Sequence, residues 1–444
     1  MSGYITAEEV DTPWGRMDEV RARRLRPGPG GTRRQATQNQ RERLFAAMVA
    51  STTTKGYPAT TVADIISLAG VSRSTFYEHF EDKADCFRAT AGVLFEAGLK
   101  LIRSHLNGPG NPRERGERAL RSFLQLTTTQ PAAARMSLVD AYSAGPAGLE
   151  PITNAFESAC ELAHEAMRML PNKSRTPEQL SRAVIGGIHR VLYIHLYRNE
   201  ADAMLENCDE LWRWASGFEP PQELPSPRRS KRTADLGPAS LGRDQHERIL
   251  RGFARAVAAR GFSNVTVPQV AAEAGISNAT FYQHFENKDD ALLAALDLSG
   301  AQLLAATLPA ARRQPDWPQA IRRAIEALCG FLISEPAFAR LRTVEVYAAG
   351  PEAIEHRDRA WEEILEELIP KEVREGCGPG GLALCASSGA IYALLYEKVR
   401  KEELEKVRQL APLLTYLILA PLLGGEAASD VAGGREGKLE AQRS

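Results

Sequence analysis

Cysteine is scarce in this chain, with six in 444 residues and no two spaced as C-x-x-C. That number excludes a disulfide scaffold, and that spacing excludes the common zinc and redox motifs. Neither sign of charge dominates: 55 Lys and Arg stand against 56 Asp and Glu. A uniformly basic nucleic-acid binder is thereby excluded, although local basic patches are not. The longest apolar run, residues 410–423, is 14 residues long and contains Pro412 and Pro421, against ~20 residues needed to cross a bilayer. The opening MSGYITAEEVDTPWG lacks the basic-then-apolar pattern of a signal peptide, so a cytoplasmic protein with no membrane partner is expected. Also missing are G-x-S-x-G, the P-loop, H-E-x-x-H and a strand-to-helix G-x-G-x-x-G. His189 and His195 are six apart and fall on different faces of a helix, so no shared metal is expected. No catalytic residue, cofactor or metal is therefore assigned, and an enzyme is not expected.

What the chain does have is an internal repeat. Residues 56–87 (GYPATTVADIISLAGVSRSTFYEHFEDKADCF) and 261–292 (GFSNVTVPQVAAEAGISNATFYQHFENKDDAL) align at an offset of 205 without gaps, with 14 of 32 positions identical. Average composition would give about two. The offset also pairs Gln40 with Gln245 upstream and Tyr142 of YSAGP with Tyr347 of YAAGP downstream. The chain reads as a tandem duplication of roughly residues 37–218 and 243–424, each unit long enough to be a domain.

Each copy has helical periodicity and no useful strand pattern. Leu44, Ala47, Met48 and Ser51 make an i, i+3, i+4, i+7 stripe, repeated by Ile249, Gly252, Phe253 and Ala256. A second helix is capped by Thr61, or by Thr266 with Gln269 three residues on, and is stopped by Gly70 or Gly275. After one apolar residue, Ser72 or Ser277 can cap a short third helix. Helix, Gly-containing turn and short capped helix make a helix-turn-helix, whose second helix suits the major groove. The side chains expected at base edges are Ser72, Arg73, Ser74 and Thr75, and in the second copy Ser277, Asn278, Ala279 and Thr280. Phe76, Phe80, Phe281 and Phe285 should pack inward. Tyr77, His79, Tyr282 and His284 then point partly outward toward phosphates, and Thr61 and Thr266 are counted with them among the DNA-binding residues. Lys83 and Lys288 sit in the first turn of the next helix, where a cation opposes the dipole, and a nearby phosphate would account for them.

AGVSRSTFYEHFEDK and AGISNATFYQHFENK resemble the N-terminal module of the TetR/AcrR family of bacterial transcriptional regulators, most specifically over residues 40–90 and 245–295. The resemblance implies an all-α fold: two tandem units, each a three-helix DNA-binding head followed by a helical region that dimerises and encloses a small-molecule effector. It implies base reading by the short third helix, phosphate contact by the Tyr, His and following Lys, and a repressor acting on double-stranded DNA at a quasi-palindromic operator. Members normally carry one unit per chain and form homodimers. Two units in one chain suggest an intramolecular pseudo-dimer, with a homodimer as the alternative.

On this reading the chain divides into a basic flexible arm (1–36), head 1 (37–82), regulatory region 1 (83–218), a Pro-rich basic linker (219–243), head 2 (243–287), regulatory region 2 (288–424) and a disordered tail (425–444). A flexible linker of 25 residues has an r.m.s. span of about 25–30 Å, which suits heads ~34–36 Å apart on successive turns of DNA. Charge is unevenly distributed. Residues 16–43 and 226–260 each carry nine bases against three acids, whereas residues 345–375 carry ten acids against four bases. Aromatic and sulfur side chains at helical spacing, Phe123, Tyr142, Met167 and Tyr193 in one copy and Phe331, Tyr347 and Tyr392 in the other, are the candidate effector-pocket lining. The competing reading is a ligand-binding or protein-interaction module in which one or both heads no longer bind DNA.

Overall fold

A computed structural model describes residues 6–23, 32–171, 173, 176–219, 245–376 and 381–434. The expected linker beyond Glu219 and the end of the expected tail, residues 435–444, lie outside the described residues. Apart from a two-stranded turn of β1 (Asp11–Thr12) and β2 (Gly15–Arg16), the described residues are helical. After a short α1 (Met17–Ala22), the first repeat comprises α2 (Arg33–Ala59, broken at Gly56), α3 (Val62–Ala69), α4 (Arg73–His79), α5 (Lys83–Leu106), α6 (Pro112–Thr129), α7 (Pro131–Leu138), α8 (Pro146–Arg168), α9 (Glu178–Tyr197), α10 (Ala201–Glu206) and α11 (Cys208–Gly217). The second comprises α12 (Gln245–Arg260), α13 (Val267–Ala274), α14 (Asn278–His284), α15 (Lys288–Ala311), α16 (Trp317–Ser334), α17 (Pro336–Thr343), α18 (Pro351–Leu368), α19 (Lys371–Glu375), α20 (Leu382–Arg400), α21 (Val407–Leu423) and α22 (Gly425–Ala432). From α3 to α7 every helix recurs in α13 to α17 with both ends shifted by 205 residues.

The chain forms two compact units, one of Met1–Ser174 with Val191–Trp212 and the other of Arg175–Arg190 with Arg213–Ser444. In the first, Leu44, Met48, Ile65, Phe76 and Phe87 are fully buried and make the core of the head. The helix α3 starts where Thr61 and Asp64 exchange bonds in a capping box, and it stops at Gly70. There φ is 60°, a left-handed conformation that suits a residue without Cβ. Gly275 closes α13 in the same way at φ 66°.

Both ends differ from the sequence expectation. Residues 7–22 are not a free arm. A 3-10 turn, the β1–β2 turn and α1 lay Val10, Met17 and Val20 into the core of head 1, and Trp14 packs on Phe45 with ring centroids 5.5 Å apart. Charged residues of both signs masked four apolar side chains, Val10, Trp14, Met17 and Val20, spaced three or four residues apart, which is the spacing of a buried stripe. Residues 425–432, expected in a disordered tail, form α22, with Ala428, Val431 and Ala432 buried at i, i+3 and i+4. Three helices, Lys288–Ala311, Leu382–Arg400 and Leu404–Leu423, are long and apolar enough to cross a membrane by length and composition. The uninterrupted-run criterion falls short on them because Asp297 and Gln302, Ser387 and Ser388, and Pro412 and Pro421 break their apolar runs. Between 50% and 67% of each apolar window is buried inside the fold, so packing accounts for much of that character.

If the N-terminal segment is part of the head, Met17→Ala opens a cavity and costs about 2–5 kcal/mol of head stability. Thermal unfolding followed by circular dichroism checks this, and an unchanged melting temperature would return the segment to the status of an arm.

Candidate nucleic-acid interface

Seven residues are too few for an independent helix, so α4 and α14 must be held by what they bury. Phe76 is fully buried and Phe80 nearly so, their rings 5.8 Å apart, and Phe80 continues to Phe45 at 5.9 Å. Phe281 and Phe285 repeat the wedge at 5.5 Å. Each helix begins at its serine. Ser72 Oγ accepts the Thr75 backbone N–H at 3.0 Å, and Ser277 Oγ accepts that of Thr280 at 3.0 Å.

This seating leaves the opposite face in solvent. Ser72, Arg73, Ser74 and Tyr77 are exposed in head 1, and Ser277, Asn278, Ala279 and Tyr282 in head 2, with Thr75 and Thr280 half-buried. Tyr77 and Tyr282 are among the few large apolar side chains left out, at 48% and 59% exposure. The short hydroxyls are already engaged locally: Ser72 Oγ lies 2.8 Å from Ser74 Oγ and 2.9 Å from Thr75 Oγ1, and Ser277 Oγ lies 2.9 Å from Thr280 Oγ1. Arg73 stands over the Tyr77 ring at 5.8 Å. Thr61 and Thr266 are exposed at the starts of α3 and α13, each closing a capping box, with Asp64 and with Gln269. The box at Thr61 was not legible from the sequence, because the shorter Asp stands where Glu or Gln is usual.

The other expected phosphate contacts point elsewhere. His79 turns back and pairs its Nε2 with Gln40 Oε1 at 3.1 Å. Burial, reinforced by the charge of Arg41, holds its pKa below the ordinary imidazole value, so it donates as the neutral ring. His284 is half-buried, its ring 5.7 Å from that of His246. Lys83 is engaged within the head. Its Nζ donates to the carbonyls of Tyr57 at 3.0 Å, Pro58 at 3.5 Å and Thr60 at 2.8 Å, and sits 4.2 Å from the Tyr57 ring centroid. Lys288 does the same with the Phe262 carbonyl at 3.0 Å and the Phe262 ring at 4.7 Å. A cation at a helix N-terminus is accounted for here by carbonyls at the end of the preceding turn, without a phosphate. These lysines clamp the turn between the first two helices of each head.

The candidate pocket residues separate into two sets. Tyr142 meets Tyr193 edge-on at 5.9 Å, and Tyr347 meets Tyr396 edge-on at 5.9 Å, so one tyrosine pair recurs in both copies. Tyr392 lies against Arg357, 4.0 Å from ring centroid to guanidinium carbon. Phe331 and Met167 are buried in α16 and α8, and Phe123 on α6 packs over Gly98. Sequence reasoning missed Arg342, Arg357 and Asp358, which are buried beside these tyrosines. Their only sequence signal is that charged residues interrupt the apolar faces of α17 and α18.

Comparison with known proteins places this geometry. The model of bacterial regulatory proteins of the tetR family matches residues 44–90 and 249–296. The HTH-type transcriptional regulator EthR of Mycolicibacterium smegmatis is 32% identical over 147 residues, 31% of this chain and 65% of EthR. The uncharacterised HTH-type transcriptional regulator YerO of Bacillus subtilis is 39% identical over 54 residues, 12% of this chain and 19% of YerO. The chain thus spans less than two thirds of the length of either relative. Similar solved structures include FadR of Bacillus subtilis in complex with stearoyl-CoA, at 14% identity and TM-score 0.35, covering 40% of this chain and 98% of FadR. A TetR family transcription regulator from Marinobacter aquaeolei matches at 21% identity and TM-score 0.33, covering 40% and 95%. The tetR-family model thus matches this chain twice, once in each repeat, over the helices that form the two heads.

Proposed function

We propose that this protein is a sequence-specific DNA-binding transcriptional regulator, a repressor that both heads seat on one quasi-palindromic operator and that a small-molecule effector controls. The observation that carries this reading is the exposed face presented twice, by Arg73 and Tyr77 and by Asn278 and Tyr282, on helices whose opposite face is locked by paired phenylalanines. With the short hydroxyls bonded among themselves, Arg73 and Asn278 are the side chains with unused donors at the helix starts. The tyrosines and the basic segments supply backbone contacts, while Lys83 and Lys288 hold the heads in shape.

A pseudo-dimer within one chain is part of the proposal. Support comes from inside the second unit, where α9 of the first repeat crosses α20 of the second at Gly186 and Gly389. A methyl on Gly186 would lie 2.9 Å from the carbonyl oxygen of Gly389, and one on Gly389 would lie 2.7 Å from that of Gly186. Over these helices the repeats align at an offset of 203, and Gly186 also meets Ala393 while Gly389 meets Arg190, the exchanged pairing of a two-fold interface. The indole N–H of Trp214 donates to Ser387 Oγ at 3.1 Å, and Arg182 pairs with Glu397 at 3.2 Å, on the same faces.

Mobility shift with the DNA upstream of the protein's own coding region tests the reading, followed by binding-site selection. Arg pairs bidentately with guanine and Asn with adenine, each worth about 1–3 kcal/mol. Arg73→Ala is expected to relax base preference in one half-site and Asn278→Ala in the other. A perfect palindrome with both variants relaxing both arms equally would contradict unequal reading.

Because Lys83 is a carbonyl clamp, Lys83→Ala is expected to lower the melting temperature while leaving the log–log salt dependence of DNA binding unchanged. A slope shallower by about one would restore a phosphate to Lys83.

A further inference from the structure

The second unit buries more positive charge than it answers. Arg357 on α18 retains 1% exposure and Arg342 on α17 retains 3%. Arg190, whose side chain is 13% exposed, joins them from α9. The one buried carboxylate among them is Asp358, which accepts from Arg357 Nε at 2.8 Å through Oδ1 and pairs with Arg190 through Oδ2. Arg342 spends its donors on neutral acceptors: the Leu296 carbonyl at 3.2 Å, Ser299 Oγ at 2.9 Å and the Arg357 carbonyl at 2.7 Å. Arg357 Nη1 is buried and has no acceptor. Its guanidinium lies 4.0 Å from the Tyr392 centroid and 5.3 Å from that of Tyr347, and both tyrosines are half-buried residues.

Tyr392 and Cys385 supply no second anion. Burial and then Asp358 raise Tyr392, and burial raises the Cys385 thiol, so both stay neutral at pH 7. Burial, with Arg190 adding to it, lowers His189 to about 4, so it brings no further cation. Glu362, which acts on Cys385, is exposed on α18. Nor does the fold require the cluster. At the 205 offset the first repeat has Ser137, Ile152 and Thr153 where the second has Arg342, Arg357 and Asp358, and it makes the same helices and the same tyrosine pair without them. A buried guanidinium with a nitrogen left unbonded is costly, and its planar fork matches a carboxylate or phosphate.

We propose that Arg357, backed by Arg342 and Arg190, binds the oxyanion, carboxylate or phosphate, of a small ligand whose apolar part rests on Tyr347 and Tyr392. The inference gives the effector of the proposed regulator a chemical class and rests on that reading for its regulatory role only.

Calorimetric titration of the full chain at constant ionic strength tests it, with benzoate, octanoate and inorganic phosphate as probes and benzyl alcohol as the uncharged control. At least one anion is expected to bind and benzyl alcohol to fail. Binding of phosphate alone would assign the site to a phosphate group and binding of the organic acids to a carboxylate. Arg357→Met is expected to weaken the bound anion at least tenfold without lowering the melting temperature of the ligand-free protein. Asp358→Asn, which removes the competing carboxylate, is expected to tighten it about threefold or more, and this sign decides the matter if Arg357→Met fails to fold. Absence of binding by all three anions, equal binding in Arg357→Met, or weaker binding in Asp358→Asn would overturn the assignment. Mobility shift without any anion reads the DNA-binding proposal separately, so either can fail alone.

Discussion

Everything proposed for the two heads depends on one packing constraint: a seven-residue helix is stable only while its two phenylalanines stay buried. Phe76 and Phe80, or Phe281 and Phe285, occupy positions i and i+4 and insert into the core of the first two helices. That insertion fixes the rotation of the helix, and the rotation decides which side chains face solvent. Ser72 and Ser277 cap the start, and the next helix begins four residues past the end with its lysine tied back to the preceding turn. Core, cap and clamp together present residues 73 and 77, and 278 and 282, on a rigid platform.

Much of this was legible in the sequence because it rests on local spacing. The 205-residue offset, the Gly stops, the Ser caps and the inward phenylalanines each follow from residues within a few positions of one another. What escaped was set by partners distant in sequence. Lys83 sits where a phosphate would be welcome, yet its carbonyls come from residues 57–60, across the head. Val10, Met17 and Val20 were hidden by the charged residues around them. The tail segment 425–432 is small and polar by composition, and only its i, i+3, i+4 alanine and valine positions show the packed face. Arg342 and Arg357 resemble surface charges on amphipathic helices until the fold turns them inward.

Two units in one chain are free to differ, and the copies do so at particular places. A single-unit dimer must use each residue twice, once per subunit, whereas a tandem chain can specialise each copy. The heads keep their core and vary at 73/278 and 74/279. The helical regions keep a tyrosine pair and vary around it, with Ser137, Ile152 and Thr153 in one copy where the other has Arg342, Arg357 and Asp358. The close crossing at Gly186 and Gly389 stays symmetric, since a side chain on either glycine would strike the backbone of the other helix.

The central claim is that one chain supplies both heads to one operator. Native mass spectrometry of the complex with a duplex containing the selected site measures this directly, since the chain is 48.6 kDa. The account predicts one chain per duplex, with protection of two major-groove segments ~34–36 Å apart. Two chains per duplex, or protection of a single segment by one chain, would contradict it.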